Sequence, residues 1–115
     1  MARVKRGIAR HKRHKKMTGM AEGYWGRKKN VFRRAKEQVM KAGQYAFRDR
    51  RAKKRDFRRL WIVRLNAACK SNGIKYNDLI HGLKEKSIPL DRKMLSELAI
   101  HDPEAFKQVV SQATG

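Results

Sequence analysis

Residues able to do covalent or metal chemistry are few in this chain, and their spacing serves none of the usual arrangements. The one thiol, Cys69, ends the run LNAAC that begins at Leu65, where a small residue buried in an apolar helix is the ordinary occupant. A nucleophilic thiolate needs an adjacent base and an electropositive setting, and neither His81 nor His101 stands in a pattern that supplies one. His11 and His14, in HKRH, suggest metal ligands, but the first twenty residues contain no cysteine or carboxylate to complete a site. The cations around them would also repel a metal ion. There is no Walker-type glycine loop and no pair of carboxylates at a recognisable catalytic spacing. The sequence therefore predicts no catalytic residue, no metal, no cofactor and no small-molecule substrate.

Fixed positive charge is the chemistry the chain does carry. Its 115 residues hold 31 Lys and Arg against 10 Asp and Glu, a formal net charge of +21. So much like charge repels itself in a compact monomer and calls for a polyanion to neutralise it. Nucleic acid is the first candidate and an anionic membrane surface the second. The charge is concentrated: residues 1–59 hold 23 basic side chains against four acids, and residues 60–115 hold eight against six. The candidate phosphate contacts begin with Arg3, Lys5, Arg6, Arg10, Lys12, Arg13, Lys15 and Lys16, then continue through Arg27, Lys28, Lys29, Arg33 and Arg34. Arg92 and Lys93 are basic candidates in the second half. Tyr24 and Trp25, set between Gly23 and Gly26 in a cationic turn, can stack on unpaired bases or anchor the start of the next helix.

The densest stretch is YAFRDRRAKKRDFRRLW, Tyr45 to Trp61, in which ten of seventeen residues are charged. Between Phe47 and Phe57 the only apolar side chain is Ala52. On a helix at about 100° per residue, Asp49, Ala52 and Asp56 fall within one arc of roughly 60°. Arg48, Arg50, Arg51, Lys53, Lys54, Arg55, Arg58 and Arg59 occupy nearly all the rest. A membrane-surface helix would carry one large apolar face, and this one has none. A duplex bound on one side would use only one basic face. Charge on most sides suits phosphates on most sides, as in the interior of a folded RNA. Arginine outnumbers lysine six to two here, and its planar fork favours bidentate phosphate contact and stacking on bases. The bland alternative is a solvated helix held by pairs such as Asp49 with Lys53, but two acids cannot offset eight cations.

These residues need elements to hold them, and the pattern predicts an all-α chain. Residues 1–26 combine charge runs with glycines and offer too few apolar residues to offset ordering entropy. They read as a basic arm ordered on RNA, with a short helix around Ile8 to Met17. Residues 27–70 contain no proline and only Gly43 among good helix formers, which predicts one long basic helix of about 60 Å. Val31, Ala35, Val39, Ala42 and Ala46 recur along it at helical spacing. Its end from about residue 57, with Trp61 in the core, is expected to pack with residues 71–115 as a small globular all-helical RNA-binding domain. Gly73 suits the turn that ends the long helix, Asn77 or Asp78 caps a second, Asp91 a third, and Asp102-Pro103-Glu104 opens a fourth. The expected apolar faces are Leu79, Ile80 and Leu83; Met94, Leu95, Leu98 and Ala99; and Phe106, Val109, Val110 and Ala113.

A single cysteine allows no internal disulfide and fits a reducing compartment. The basic N-terminus lacks the apolar run of a secretory signal, and no segment approaches 18 continuous apolar residues. A cytosolic protein that does not enter a membrane is the expectation.

Several blocks together resemble a known family: RHKK ending at Lys16, GYWGRKKNVFRRAKEQVMKA from Gly23, YAFRDRRAKKRDFRRLWIVRLNAA from Tyr45, GIKYNDLIHGL from Gly73 and LDRKMLSELAIHDPEAF from Leu90. They are similar to bacterial large-subunit ribosomal protein L20, from Val4 to about Val110. The resemblance implies a non-catalytic constituent of the large ribosomal subunit in the cytoplasm that binds 23S rRNA directly and is needed for subunit assembly. It also implies neighbouring large-subunit proteins as contacts and, in some members, repression of translation from the protein's own mRNA. It implies too that the arm and long helix run through the rRNA while the C-terminal domain recognises one RNA site. Two other classes compete. A duplex-DNA binder would use a C-terminal helix pair with a basic recognition helix, but the last helix has one basic residue, Lys107. An enzyme acting on RNA would need a catalytic side chain, and none presents itself.

Overall fold

A computed structural model describes residues 3–115, and every regular element among them is helical: α1 (Gly7–Met20), a 3-10 turn (Gly26–Lys28), α2 (Phe32–Ser71), α3 (Tyr76–Glu85), α4 (Arg92–His101) and α5 (Pro103–Thr114). The chain is all-α, as the pattern predicts. It divides into two compact units, one ending at Arg51 and the other running from Ala52 to Gly115.

In the first unit, α1 is longer than the short helix expected there. It has no side-chain N-cap and no acid in its first turn, so its own backbone bonds carry it. Its least exposed positions, His14, Met17, Thr18 and then Ala21, follow the i, i+3, i+4, i+7 pattern of one helical face. The His14 imidazole stacks on the Phe32 ring at 3.9 Å between centroids and 9° between planes. Among the described residues of this unit, only Ala21 and Ala35 are fully buried. Of the expected stripe along α2, Val39 is half-buried, while Val31, Ala42 and Ala46 are exposed. Helix α2 also starts five residues later than expected. Trp25 is extended and Gly26 has φ +59, so the backbone passes through the 3-10 turn before the helical ladder is established.

The second unit has a true core. Leu65 and Cys69 from α2, Leu79 and Leu83 from α3, Leu95 from α4, and Phe106, Val110 and Ala113 from α5 form one buried cluster. Helix α5 packs against both α3 and α4. The apolar faces are those the periodicity gives, except that Met94 is exposed. Trp61 lies outside the cluster, half-buried and tilted against Phe57 at 6.2 Å. It lies one turn before Leu65 on the same helical face, but the buried cluster begins only at Leu65. The chain-turning signals are specific. Ile74 N–H donates to Cys69 O at 3.1 Å and Gly73 N–H to Lys70 O at 3.1 Å, a Schellman end for α2 with Gly73 at φ +73. Helix α3 ends the same way, with Ser87 at φ +52 in the glycine's place. Its N-cap is Lys75, not Asn77 or Asp78, which lie inside the first turn. Asp91 and Asp102 do cap α4 and α5, accepting from Met94 N at 2.8 Å and Ala105 N at 3.0 Å. At Gly82 the backbones of α3 and α5 come into direct contact.

Candidate nucleic-acid interface

The arm cations Arg3, Lys5, Arg6, Arg10, Lys12, Arg13, Lys15 and Lys16 are all exposed, as are Arg27, Lys28, Lys29, Arg33 and Arg34. Every Lys and Arg side chain of helix α1 is therefore open to solvent, including Arg10, one turn before His14. Part of the charge on α2 is balanced within the chain. Glu37 pairs with both Arg33 and Arg34 at 3.5 Å. Asp49 pairs with Arg48 at 2.7 Å, rather than with Lys53, and that hydrogen bond holds its carboxyl below the ordinary range. These are surface pairs of little energetic weight, which RNA phosphates can replace.

From Met40 to Leu60 every side chain is exposed except Ala52, which is half-buried. The helix has no face turned inward along this stretch, so the charge array on it is freely accessible. In the first unit, Arg51 lies 3.7 Å from the Phe47 ring centroid. In the second, Arg59 reaches Asp56 at 3.6 Å, and Lys53 lies 6.0 Å from the Phe57 ring. Among the described residues, Arg50, Lys54, Arg55 and Arg58 make no ion pair.

The turn before α2 does something the sequence only half discloses. Tyr24, Trp25 and Lys28 line a pocket of about 370 Å³ whose other wall is Gln38, Lys41, Ala42 and Tyr45 of α2. Those four are spaced i, i+3, i+4, i+7 and so share one helical face. That spacing was the available signal, hidden because the face is neither apolar nor uniformly charged. The turn is fixed by Tyr24 N–H to Ala21 O at 3.1 Å and Lys28 N–H to Trp25 O at 3.3 Å. Gly23 at φ +82 and Gly26 at φ +59 flank the aromatic pair, a backbone that other residues adopt at a cost. Trp25 is 90% exposed. The Tyr45 ring has Lys41 Nζ 5.0 Å and the Arg48 guanidinium 4.8 Å from its centroid.

In the second unit, Lys93 is exposed, but Arg92 is half-buried and donates from Nε to the Tyr76 hydroxyl at 2.9 Å. The structure thus ties Arg92 into the join between α3 and α4. Lys107, the basic residue of α5, is held by Glu104 at 2.9 Å, which leaves that helix a poor reader of a DNA groove. The chemistry considered for the histidines and the thiol is also separated in space from what it would need. Cys69 is sealed in the core, where burial pushes its thiol pKa up and away from the thiolate. His81 faces Glu85 at 3.4 Å and His101 faces Glu97 at 3.3 Å, each on its own helix. Among the described residues, no three His, Cys, Asp or Glu side chains converge as metal ligands, and no helix is long and apolar enough to cross a membrane.

Comparison with known proteins gives one answer. The family model described as Ribosomal protein L20 matches residues 3–109. A protein of Leptothrix cholodnii named "Large ribosomal subunit protein bL20" is 60% identical over 112 residues, covering 97% of this chain and 95% of the relative. One of the same name from Thermomicrobium roseum is 55% identical over 113 residues, covering 98% and 97%.

Proposed function

Because the chain belongs to the ribosomal protein L20 family, whose role is structural and non-enzymatic, we propose that it is a constituent of the large ribosomal subunit that binds 23S rRNA directly and supports subunit assembly. The observation that carries the rRNA reading is the exposed stretch from Met40 to Leu60, with cations on most sides and no apolar face to bury. A folded RNA surrounds such a helix with phosphates; a membrane or a single duplex meets one side of it. The near balance of charge over residues 60–115, eight basic side chains against six acids, supports a division of labour, with the packed helices recognising one RNA site while the arm and α2 supply charge. Neighbouring large-subunit proteins complete the contacts. An RNA fold in the protein's own message that mimics the rRNA site would bind it and repress translation, which a reporter fused to the message leader tests.

The deciding experiment is binding of the full chain to 23S rRNA fragments against unrelated structured RNA of equal length, across a salt series. Neutralising ~8 phosphates gives a log–log slope of roughly −6 to −7, at about 0.7–0.9 per contact. A preference of several hundredfold that survives moderate salt is expected. A steep slope without preference would defeat the proposal of a specific site. Preference for duplex DNA in direct competition would favour the DNA reading instead.

A further inference from the structure

We infer that the pocket between the Tyr24–Lys28 turn and α2 receives one unpaired nucleobase of RNA, an inference that rests on the RNA-binding reading above. The base stacks on the aromatic wall, and Lys28 and Lys41 meet the adjoining phosphate. Three features of the pocket select this occupant. Its walls carry three flat π surfaces, Tyr24, Trp25 and Tyr45, and every base presents a π face to match. Its only charged liners are the two lysines, with no carboxylate among them, so an anionic group is favoured at the mouth. Gln38, half-buried in the wall, offers an amide donor and an acceptor, which suits the polar edge of a base.

The indole of Trp25, 90% exposed, stays unburied in the free protein, at a turn whose two nearby glycines have positive φ. A Cβ at Gly23 or Gly26 would meet nothing within 4 Å, so these glycines serve the backbone conformation and not a close approach. Lys41 and Arg48 already lie near the Tyr45 ring, and the electrostatic preference for that ring can pass to a nucleotide while the cations turn to its phosphate. The volume, about 370 Å³, is that of a small-ligand pocket and too small for a helix or a duplex. An acidic peptide would satisfy the lysines but leave the three rings and the amide without a flat polar partner.

The test uses the full chain with Trp61→Phe, which leaves Trp25 as the sole tryptophan of the two. The probes are a short oligoadenylate and an abasic sugar–phosphate oligomer of equal charge, at moderate salt to suppress general electrostatics. The expected result is quenching of Trp25 fluorescence by oligoadenylate alone. Labelled oligoadenylate should then bind Trp25→Ala roughly 5- to 150-fold more weakly, the range of one base stacked on one aromatic, with Trp25→Phe largely retaining affinity. Trp25 is solvent-facing, so the alanine variant keeps the fold; Tyr45→Leu supplies a second loss on the opposite wall. Equal quenching by the abasic oligomer, or unchanged affinity in Trp25→Ala, overturns the pocket. Either failure leaves the rRNA proposal standing, because preference for 23S fragments is scored separately on the unmodified chain.

Discussion

Replacing Gly82 by alanine puts a methyl group where α3 and α5 leave no room for one, and the cost can be worked from the geometry. The new Cβ would lie 2.8 Å from the Ala113 carbonyl carbon and 3.3 Å from its Cα, with the carbonyl oxygen closer still. Comfortable carbon contacts are about 3.5–4.0 Å, and all three atoms are backbone, so no side-chain tip can swing away. The helices must part by roughly 1 Å, loosening Leu79 and Leu83 against Val110 and Ala113. Overpacking of this kind costs about 1–3 kcal/mol and occasionally more; a backbone clash belongs at the upper end. Alanine returns about 0.8–1 kcal/mol of helix propensity, leaving a net loss near 2 kcal/mol. For a small domain that lowers Tm by roughly 8–16 °C. Gly43→Ala is the matched control: it sits within α2 with nothing inside 4 Å, so it keeps the propensity gain and adds helicity. Thermal unfolding by circular dichroism should be paired with the rate at which Cys69, fully buried in the same core, reacts with a thiol reagent. If Gly82→Ala melts at or above wild type with Cys69 still protected, the helices relax without loss and the reasoning fails.

Three further outcomes follow from the same structure. Ser96 is fully buried and its hydroxyl has no partner among the described residues, so Ser96→Ala should stabilise the second unit by about 1 kcal/mol, seen as a higher urea midpoint at unchanged slope. Burial raises the Cys69 thiol above its ordinary 9.0, so its contribution to stability is complete below that value and is lost as pH rises through the folded pKa. Melting curves from pH 7 to 10 should show a decline that is shallower in Cys69→Ala, and parallel profiles would contradict the assignment. Arg55→Gln, which removes a cation that makes no ion pair among the described residues, should weaken all RNAs alike and flatten the salt slope by about 0.7–0.9; a change confined to 23S fragments would make Arg55 a specificity residue instead.

Helices α4 and α5 were legible in the sequence because their signals are local and redundant. Asp102-Pro103-Glu104 combines a cap, a preset φ and an acid in the first turn, and the Phe106, Val109, Val110, Ala113 spacing places one face inward. Where signals were single, they misled. Asn77 and Asp78 are good caps by type, yet the chain turns at Lys75 after Gly73 and Ile74 close the preceding Schellman motif. Trp61 is apolar and flanked by apolar residues, but depth depends on where the other helices reach, which periodicity along one helix cannot encode. The exposed cations were legible as composition. The pocket was not, since it joins a turn to residues well further along the chain, and Gln38, Lys41 and Tyr45 have no shared chemistry that marks them in advance.

The bare stretch of α2 has a consequence for how substitutions are tolerated. From Met40 to Leu60 the side chains other than half-buried Ala52 are exposed, so exchanging one good helix former for another there should leave the free protein's stability almost untouched. Leu65, Leu79, Leu95 and Phe106 answer to stability whether or not RNA is present. Two scans of the same variant library, one scored by folding and one by ribosome function, should therefore agree over α3 to α5 and diverge over the middle of α2. Under the proposed function, selection on that segment would act through the RNA it binds, and residues silent in the test tube would be the ones a cell can least afford to change.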